Sequence, residues 1–273
     1  MLDSSQIRMQ RAAGRAEVAI AARGGRNALC RLHQSGSAKA FLPKVHTPVP
    51  EVVFLNTSGG VTGGDRIGYR LEVGAGAQVI ATTQTAERAY QSSADVGEVT
   101  VELSVGEGGV LEWLPQETIL FDHSAMTRRT TVDLAAGARF LMVETVVLGR
   151  AAMGEVIEDL AFFDLRQIRR EGRPVLVEPL QIDAAALGLR DHPAVFGGAV
   201  AMSTLAYVAE EAEDVLARIG SLPESDEVAI AASAWEGRCV LRFLAGDAWP
   251  LRRALADVLN RIRGRALPRV WQM

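Results

Sequence analysis

Three carboxylates stand where an ionised side chain is costly. Glu144 is flanked by Phe140-Leu141-Met142-Val143 and by Val146-Val147-Leu148. Glu178 follows Val175-Leu176-Val177. Asp65 closes a glycine block, Asn56-Thr57-Ser58-Gly59-Gly60-Val61-Thr62-Gly63-Gly64-Asp65. A carboxylate on a buried strand has to be paired, solvated or bound to a metal. For any one of the three the ordinary outcome is pairing, with Arg88, Arg139 or Arg150 as the candidates. Three in a chain without an evident catalytic site point to a polar interior route for a cation. Carboxylate and water ligands hold a divalent transition metal less tightly than imidazole or thiolate sets, which suits passing an ion onward.

Other chemistries find less support. The glycine block lacks the Gly-Lys-Ser/Thr ending that holds a nucleotide phosphate, and it lacks the dinucleotide-binding spacing. It reads as a shaped loop, with Gly59, Gly60, Gly63 and Gly64 as structural positions and positive φ expected at Gly60 or Gly64. Ser124 adjoins His123, but neighbours on an extended strand point to opposite faces. Neither a Gly-x-Ser-x-Gly elbow nor a His-Glu-x-x-His pair occurs. Glu117 and Asp122 are the carboxylate pair that a hydrolase would use, which is one alternative reading; a plain β scaffold with no ion route is the other. The two cysteines, Cys30 and Cys239, lie far apart and form no Cys-x-x-Cys, so neither a zinc site nor a disulfide framework is expected. No tight metal site is predicted.

The elements that must carry these residues are mostly strands. From Glu17 to about Val177 the chain runs in short alternating segments bounded by Gly and Asp, the period-two signal of β-structure. A weak repeat lies inside. Leu71-Glu72-Val73-Gly74-Ala75-Gly76-Ala77 is echoed by Leu103-Ser104-Val105-Gly106-Glu107-Gly108-Gly109 and by Val132-Asp133-Leu134-Ala135-Ala136-Gly137-Ala138. A near-constant period with a strand on either side of the turn suggests stacked coils of β-structure. Hairpins of a β-sandwich share the same local chemistry. Set in register, the repeat aligns Thr83, Pro115 and Glu144, and two residues further on Thr85, Glu117 and Val146.

After about residue 200 the character changes. Glu210–Ile219 reads as a helix ended by Gly220. Val228–Trp235 and Cys239–Leu244 read as a hairpin about Glu236-Gly237. Asp247 caps a last helix with an apolar stripe at Leu251, Ala254, Leu255, Val258, Leu259 and Ile262. The expected fold is mainly β, with stacked, β-helix-like coils and a small C-terminal α-β-β-α portion. The expected divisions are a flexible N-terminus over 1–16, a β-rich body over 17–200 and the helix-hairpin-helix portion over 201–273, packed as one unit.

The 273 residues carry a net charge of −4, which argues against nucleic-acid binding. The arginines at 252, 253, 261, 263, 265 and 269 read as a solvated helix face rather than an anion site. No signal peptide and no apolar run of membrane-spanning length occurs, so a cytoplasmic protein is expected.

Further segments complete an ordered set with the glycine block. They are Ala81-Thr82-Thr83-Gln84-Thr85-Ala86-Glu87-Arg88-Ala89-Tyr90-Gln91-Ser92, Leu111–Phe121, Glu144–Glu155 with its Leu148-Gly149-Arg150, and the closing Leu267-Pro268-Arg269-Val270-Trp271. In this order and at these separations the chain, from roughly Val18 to its C-terminus, resembles the UreD family of urease accessory proteins. Relatives usually carry Pro-Gly-Gly where this chain has Ser58-Gly59-Gly60, and an aromatic where Ala89 stands. The resemblance implies a coiled, helix-poor β fold and a non-enzymatic scaffold that binds apo-urease and UreF, and through UreF the GTPase UreG. It implies an internal hydrated route that nickel uses transiently, with no tightly bound cofactor. Matched motif to motif, the residues of that route are Asp65, Thr82, Glu144 and Glu178, and Glu87 shares the polar segment with Thr82.

Overall fold

The computed structural model describes residues 10–45, 47–222 and 225–272. In chain order the strands are β1 (Ala13–Arg23), β2 (Arg26–Gly36), β3 (Ala38–Phe41), β4 (Glu51–Asn56), β5 (Arg66–Val73), β6 (Gln78–Thr83), β7 (Glu87–Ala89), β8 (Gly97–Val105) and β9 (Val110–Trp113). They continue as β10 (Thr118–Leu120), β11 (Ala125–Leu134), β12 (Arg139–Leu148), β13 (Ala161–Arg170), β14 (Arg173–Ile182), β15 (Ala201–Val208), β16 (Val228–Trp235) and β17 (Arg238–Ala245). The helices are α1 (Ala184–Gly188), α2 (Asp214–Ile219) and α3 (Ala248–Arg263).

Two sheets face each other. The first has the order β14-β13-β11-β8-β5-β1-β2, and the second runs β16-β17-β15-β12-β9-β6-β4-β3 with β10 and β7 beside β12. The chain alternates between them, so β5, β8, β11 and β13 stack in parallel on one side and β6, β9 and β12 on the other. This is the coiled architecture that the repeat suggests, and its register is the repeat's own. Leu71 pairs with Leu103, and Leu103 with Val132. The turn glycines Gly76, Gly108 and Gly137 all take positive φ, near 63°.

The first sheet alternates buried and exposed residues, as a sheet with one wet face does. The second is covered on both faces, and β12 and β15 are buried almost throughout. One core lies between the sheets, with Leu71, Leu103, Leu111, Trp113, Phe140 and Phe162 among its members. A second lies between the second sheet and α3, where all six residues of the apolar stripe are buried.

Three details depart from expectation. The predicted alignment holds as far as Ala81, Trp113 and Met142 but breaks at Pro115. Proline has no N–H for the ladder, and when pairing resumes Thr118, not Glu117, lies opposite Val146, with Glu87 rather than Thr85 on its other side. Strand β1 starts at Ala13, inside the segment expected as a tail, because Ala16 is fully buried and pairs with Tyr69 of β5. Residues 1–9 of that segment lie outside the described residues. The hairpin β16–β17 forms as expected, but β17 also pairs with β15, so it extends the second sheet. The helix expected over 210–219 is α2, six residues long. No helix is long and apolar enough to cross a membrane among the described residues.

The glycine block is a loop shaped in two ways. Gly59 and Gly64 sit at φ 85°. Gly60 and Gly63 take ordinary φ but leave no room: a Cβ on Gly60 would lie 2.3 Å from the Tyr90 ring and 2.6 Å from the Arg88 carbonyl oxygen. Positive φ at Gly64 is as expected, whereas Gly60 is required by close approach. A Gly60→Val chain should therefore lose most of its soluble yield, while Gly246→Ala, at an open position with ordinary φ, should not. Soluble expression of the two variants side by side measures this, and equal yields would contradict the crowding.

Candidate functional site

The inward faces of the two sheets carry a row of charges through the core. On β11 the residues Met126, Arg128, Thr130, Val132 and Leu134 are buried, and on β13 so are Phe162, Asp164, Arg166 and Ile168. Parallel pairing puts Arg128 directly beside Asp164, and antiparallel pairing puts Arg166 beside Glu178 of β14. From the opposite sheet Glu144 alternates with Phe140, Met142 and Val146 into the same space.

The contacts make a chain. Trp113 Nε1 donates to Glu144 Oε1 at 3.0 Å, and Arg128 Nη1 lies 2.7 Å from Oε2. Arg128 holds Asp164 with two bonds, Nε to Oδ1 at 3.0 Å and Nη2 to Oδ2 at 2.7 Å, and also donates to Thr118 Oγ1 at 2.9 Å. Arg166 Nε lies 3.1 Å from Asp164 Oδ2, and its Nη1 is 3.3 Å from Glu178 Oε2. Glu178 Oε1 accepts from Arg242 Nη2 at 2.7 Å and from Thr204 Oγ1 at 3.4 Å. Thr204 sits opposite both Glu144 and Arg242, which closes the row across the second sheet.

Glu144, Asp164, Arg128 and Arg166 balance in charge and are almost entirely out of water, with side-chain exposures of 6% or less. Burial pushes the Glu144 carboxyl above its usual range, and Arg128 offsets this only in part. Burial also opposes ionisation of Asp164, but the guanidinium groups of Arg128 and Arg166 hold it below the usual carboxylate range. Asp164 and Glu144 in turn keep Arg128 protonated despite its burial.

The row opens into a cleft of about 540 Å³ lined by the polar Glu144, Arg166, Glu178, Thr204 and Arg242 and by the apolar Val195, Phe196, Met202 and Phe243. Several buried atoms in the row sit at ion-pair distance without the alignment of a hydrogen bond: Glu144 Oε2, Arg166 Nε and Nη1, and Glu178 Oε2. Buried polar atoms of this kind are normally completed by water, so the cleft end of the row, where Glu144, Arg166 and Glu178 lie, suits water. At the other end Glu87 reaches Asn56 Nδ2 at 3.4 Å in a small pocket beside the glycine block. Burial pushes Glu87 up to about 7, and Arg128 lies close enough to favour its charged form.

The structure therefore brings Glu144 and Glu178 together on one cleft. It does not bring Asp65 or Thr82 there. Asp65 accepts from Ala12 N at 2.7 Å and Thr62 N at 2.9 Å, which ties β1 to the glycine loop. Thr82 follows Ile80 onto the α3 side of the second sheet, where its hydroxyl donates to the Leu114 carbonyl at 2.6 Å. Pairing with arginine was the ordinary expectation for the carboxylates, but Arg88, Arg139 and Arg150 are not the partners. Glu117 is taken by Arg252 at 3.1 Å, and Asp122 accepts from the backbone N–H groups of Glu158 and Asp159, so the hydrolase pair shares no site. The basic cluster is not a solvated face throughout, because the Arg263 side chain is buried on Glu112 at 2.7 Å. Arg128 and Arg166 escape a reading that looks for carboxylates, and Asp164 escapes it because Asp164-Leu165-Arg166 looks like the polar side of an amphipathic strand. The alternation of Val132 and Leu134 puts Arg128 in phase with them once it is followed back four residues. Among the described residues no three His, Cys, Asp or Glu side chains cluster to hold a metal ion.

Comparison with known proteins gives a consistent answer. The family model described as UreD urease accessory protein matches residues 12–272. A urease accessory protein UreD of Cereibacter sphaeroides is 58% identical over 264 residues, covering 97% of this chain and 96% of its own. The protein of the same description from Dinoroseobacter shibae is 53% identical, covering 99% and 96%. One from Rhizobium leguminosarum bv. trifolii is 42% identical over the full length of both chains.

Proposed function

The chain belongs to the UreD family of urease accessory proteins, and on that premise we propose that it is a non-enzymatic urease maturation factor that helps deliver nickel to apo-urease through its own interior. In this reading it binds apo-urease and UreF, meets UreG through UreF, works in the cytoplasm, and holds nickel only in passage. The observation that carries the reading is the row Glu144–Arg128–Asp164–Arg166–Glu178, which runs inside the coil and ends in an open cleft. Carboxylate oxygens alternate there with guanidinium groups, and several polar atoms call for water. An ion moving along such a row would exchange water for one carboxylate at a time, which keeps it loosely held.

Glu178 is the test residue, because it is at the mouth and its loss removes little packing. A Glu178→Ala chain should still assemble with UreF and urease while the nickel content and activity of co-expressed urease fall several-fold. The fall should be partial, since water can stand in for one ligand of several. Assembly is checked in parallel by co-purification. Full activation with intact complexes would overturn the internal route and leave a scaffold alone.

A further inference from the structure

We infer that Arg128 is the resident counter-cation of this row: its guanidinium occupies the Glu144–Asp164 carboxylate pair in the place that a divalent cation would otherwise take. The inference rests on the proposed ion route and deepens it, because it names what keeps the route from becoming a storage site.

The argument starts from charge. Glu144 and Asp164 come from opposite sheets and meet on one guanidinium, Glu144 at 2.7 Å and Asp164 by two bonds at 3.0 and 2.7 Å. With Arg166 included, the buried set is neutral. A divalent ion added to a neutral set out of water would leave two uncompensated positive charges, which a low-dielectric interior does not tolerate. A divalent ion therefore cannot rest between Glu144 and Asp164 while the guanidinium is there, since freeing one carboxylate would not remove the guanidinium's charge.

Glu144 is the carboxylate of the pair that a passing ion can meet. The Arg128–Glu144 contact is short but is not an aligned hydrogen bond, and Glu144 Oε2 has no other partner among the described residues. The grip on Asp164 is bidentate and aligned, the stronger kind. Arg128 thus has an anchor on one side and a releasable partner on the other. Glu144 lines the cleft, so a hydrated cation in the cleft reaches the releasable carboxylate first.

Removing the guanidinium should turn the row into a trap. In Arg128→Gln two carboxylates face each other with Thr118 Oγ1 at hand, an all-oxygen set with water to complete it. The experiment uses the full-length chain, purified at pH 8 so that carboxyl protonation competes little. Equilibrium dialysis against NiCl₂ and thermal melts with and without NiCl₂ are the readouts. Wild type and Arg128→Lys, which keeps the charge, should retain no stoichiometric nickel in the row and show no shift in melting. Arg128→Gln should melt lower than wild type, retain about one extra nickel per chain and regain much of its melting temperature with NiCl₂. The extra ion should vanish in Arg128→Gln combined with Glu144→Gln.

A folded Arg128→Gln chain that binds no more nickel than wild type overturns the inference. Should Arg128→Gln be insoluble, nickel in the growth medium should restore soluble chain, because the ion replaces the lost charge. Insolubility indifferent to nickel also overturns it. None of these readouts involves urease, so the proposed route can fail in the Glu178→Ala test while this inference stands, and the reverse.

Discussion

Replacing Asp164 with Ala should cost this protein about 3–5 kcal/mol of stability, because it takes the bidentate partner from Arg128 and a second carboxylate from Arg166, both buried. At roughly 2–4 °C per kcal/mol for a chain of this size, the melting temperature should fall by about 6–20 °C. The comparison that decides the matter is Asp133. Its carboxylate also takes two bonds from an arginine, Arg169, at 2.8 and 2.9 Å. Asp133 is however half exposed, with 53% of its side chain in water, and an exposed pair contributes about 0–1 kcal/mol. The two sites therefore present similar bond geometry in opposite dielectric surroundings. Thermal and denaturant unfolding of Asp164→Ala and Asp133→Ala should separate them clearly. Similar small losses in both would mean that water reaches the inner pair freely and that the row is not the low-dielectric element described above.

The second large effect should be on nickel delivery. Glu144→Leu replaces a carboxylate that lines the cleft with an apolar group of similar size. Arg128 keeps both bonds to Asp164, so the inner grip survives, and Trp113 Nε1 loses its acceptor. A charge-assisted contact is typically about 1.5–3 kcal/mol, which in a transfer rate is roughly ten- to a hundredfold. Nickel content of co-expressed urease should fall accordingly, and further than in Glu144→Ala, where the vacated space can take water. Glu144→Gln, which keeps shape and polarity but not charge, should lie between wild type and Leu. Complex formation and the melting temperature of each variant separate transfer from folding. Equal activation by the Ala and Leu chains would show that Glu144 does not stand in the path of the ion.

The coils were legible because their signal is local and repeated. Leu71, Leu103 and Val132 mark equivalent positions, and the glycines behind them mark the turns, so register could be read by counting. Counting failed at Pro115, where a missing N–H broke the ladder and the chain rejoined one residue out of step. The site was half legible for a related reason. Glu144 and Glu178 stand out against apolar neighbours. Arg128, Asp164 and Arg166 do not, since Arg128-Arg129 and Asp164-Leu165-Arg166 look like the polar side of an amphipathic strand. Which side faces inward follows only when strand parity is carried along the whole of β11 and β13. Asp65 and Thr82 looked alike as polar residues near a polar path, yet Asp65 sits on a loop and Thr82 on the outer face of its strand. That difference is set by which sheet face each occupies, and a motif match does not carry it.

The parallel coils also govern how the chain comes to exist. Most of the strands of the first sheet pair with a partner about 30 residues away, and β1 joins β5 only after three intervening strands have formed. Such long-range parallel pairing carries the loop-closure entropy first and the contacts later, so it is slow. Coil by coil, a growing chain would offer a bare strand edge to its surroundings, first at β5, then β8, then β11, until β13 and the antiparallel β14 end the stack. An open edge of that kind is a template for another chain as readily as for the next coil. The coiled architecture that encloses the row thus makes the nascent polypeptide a candidate for self-association, and ties its yield in the cell to the speed of synthesis and to whatever covers each edge in the meantime.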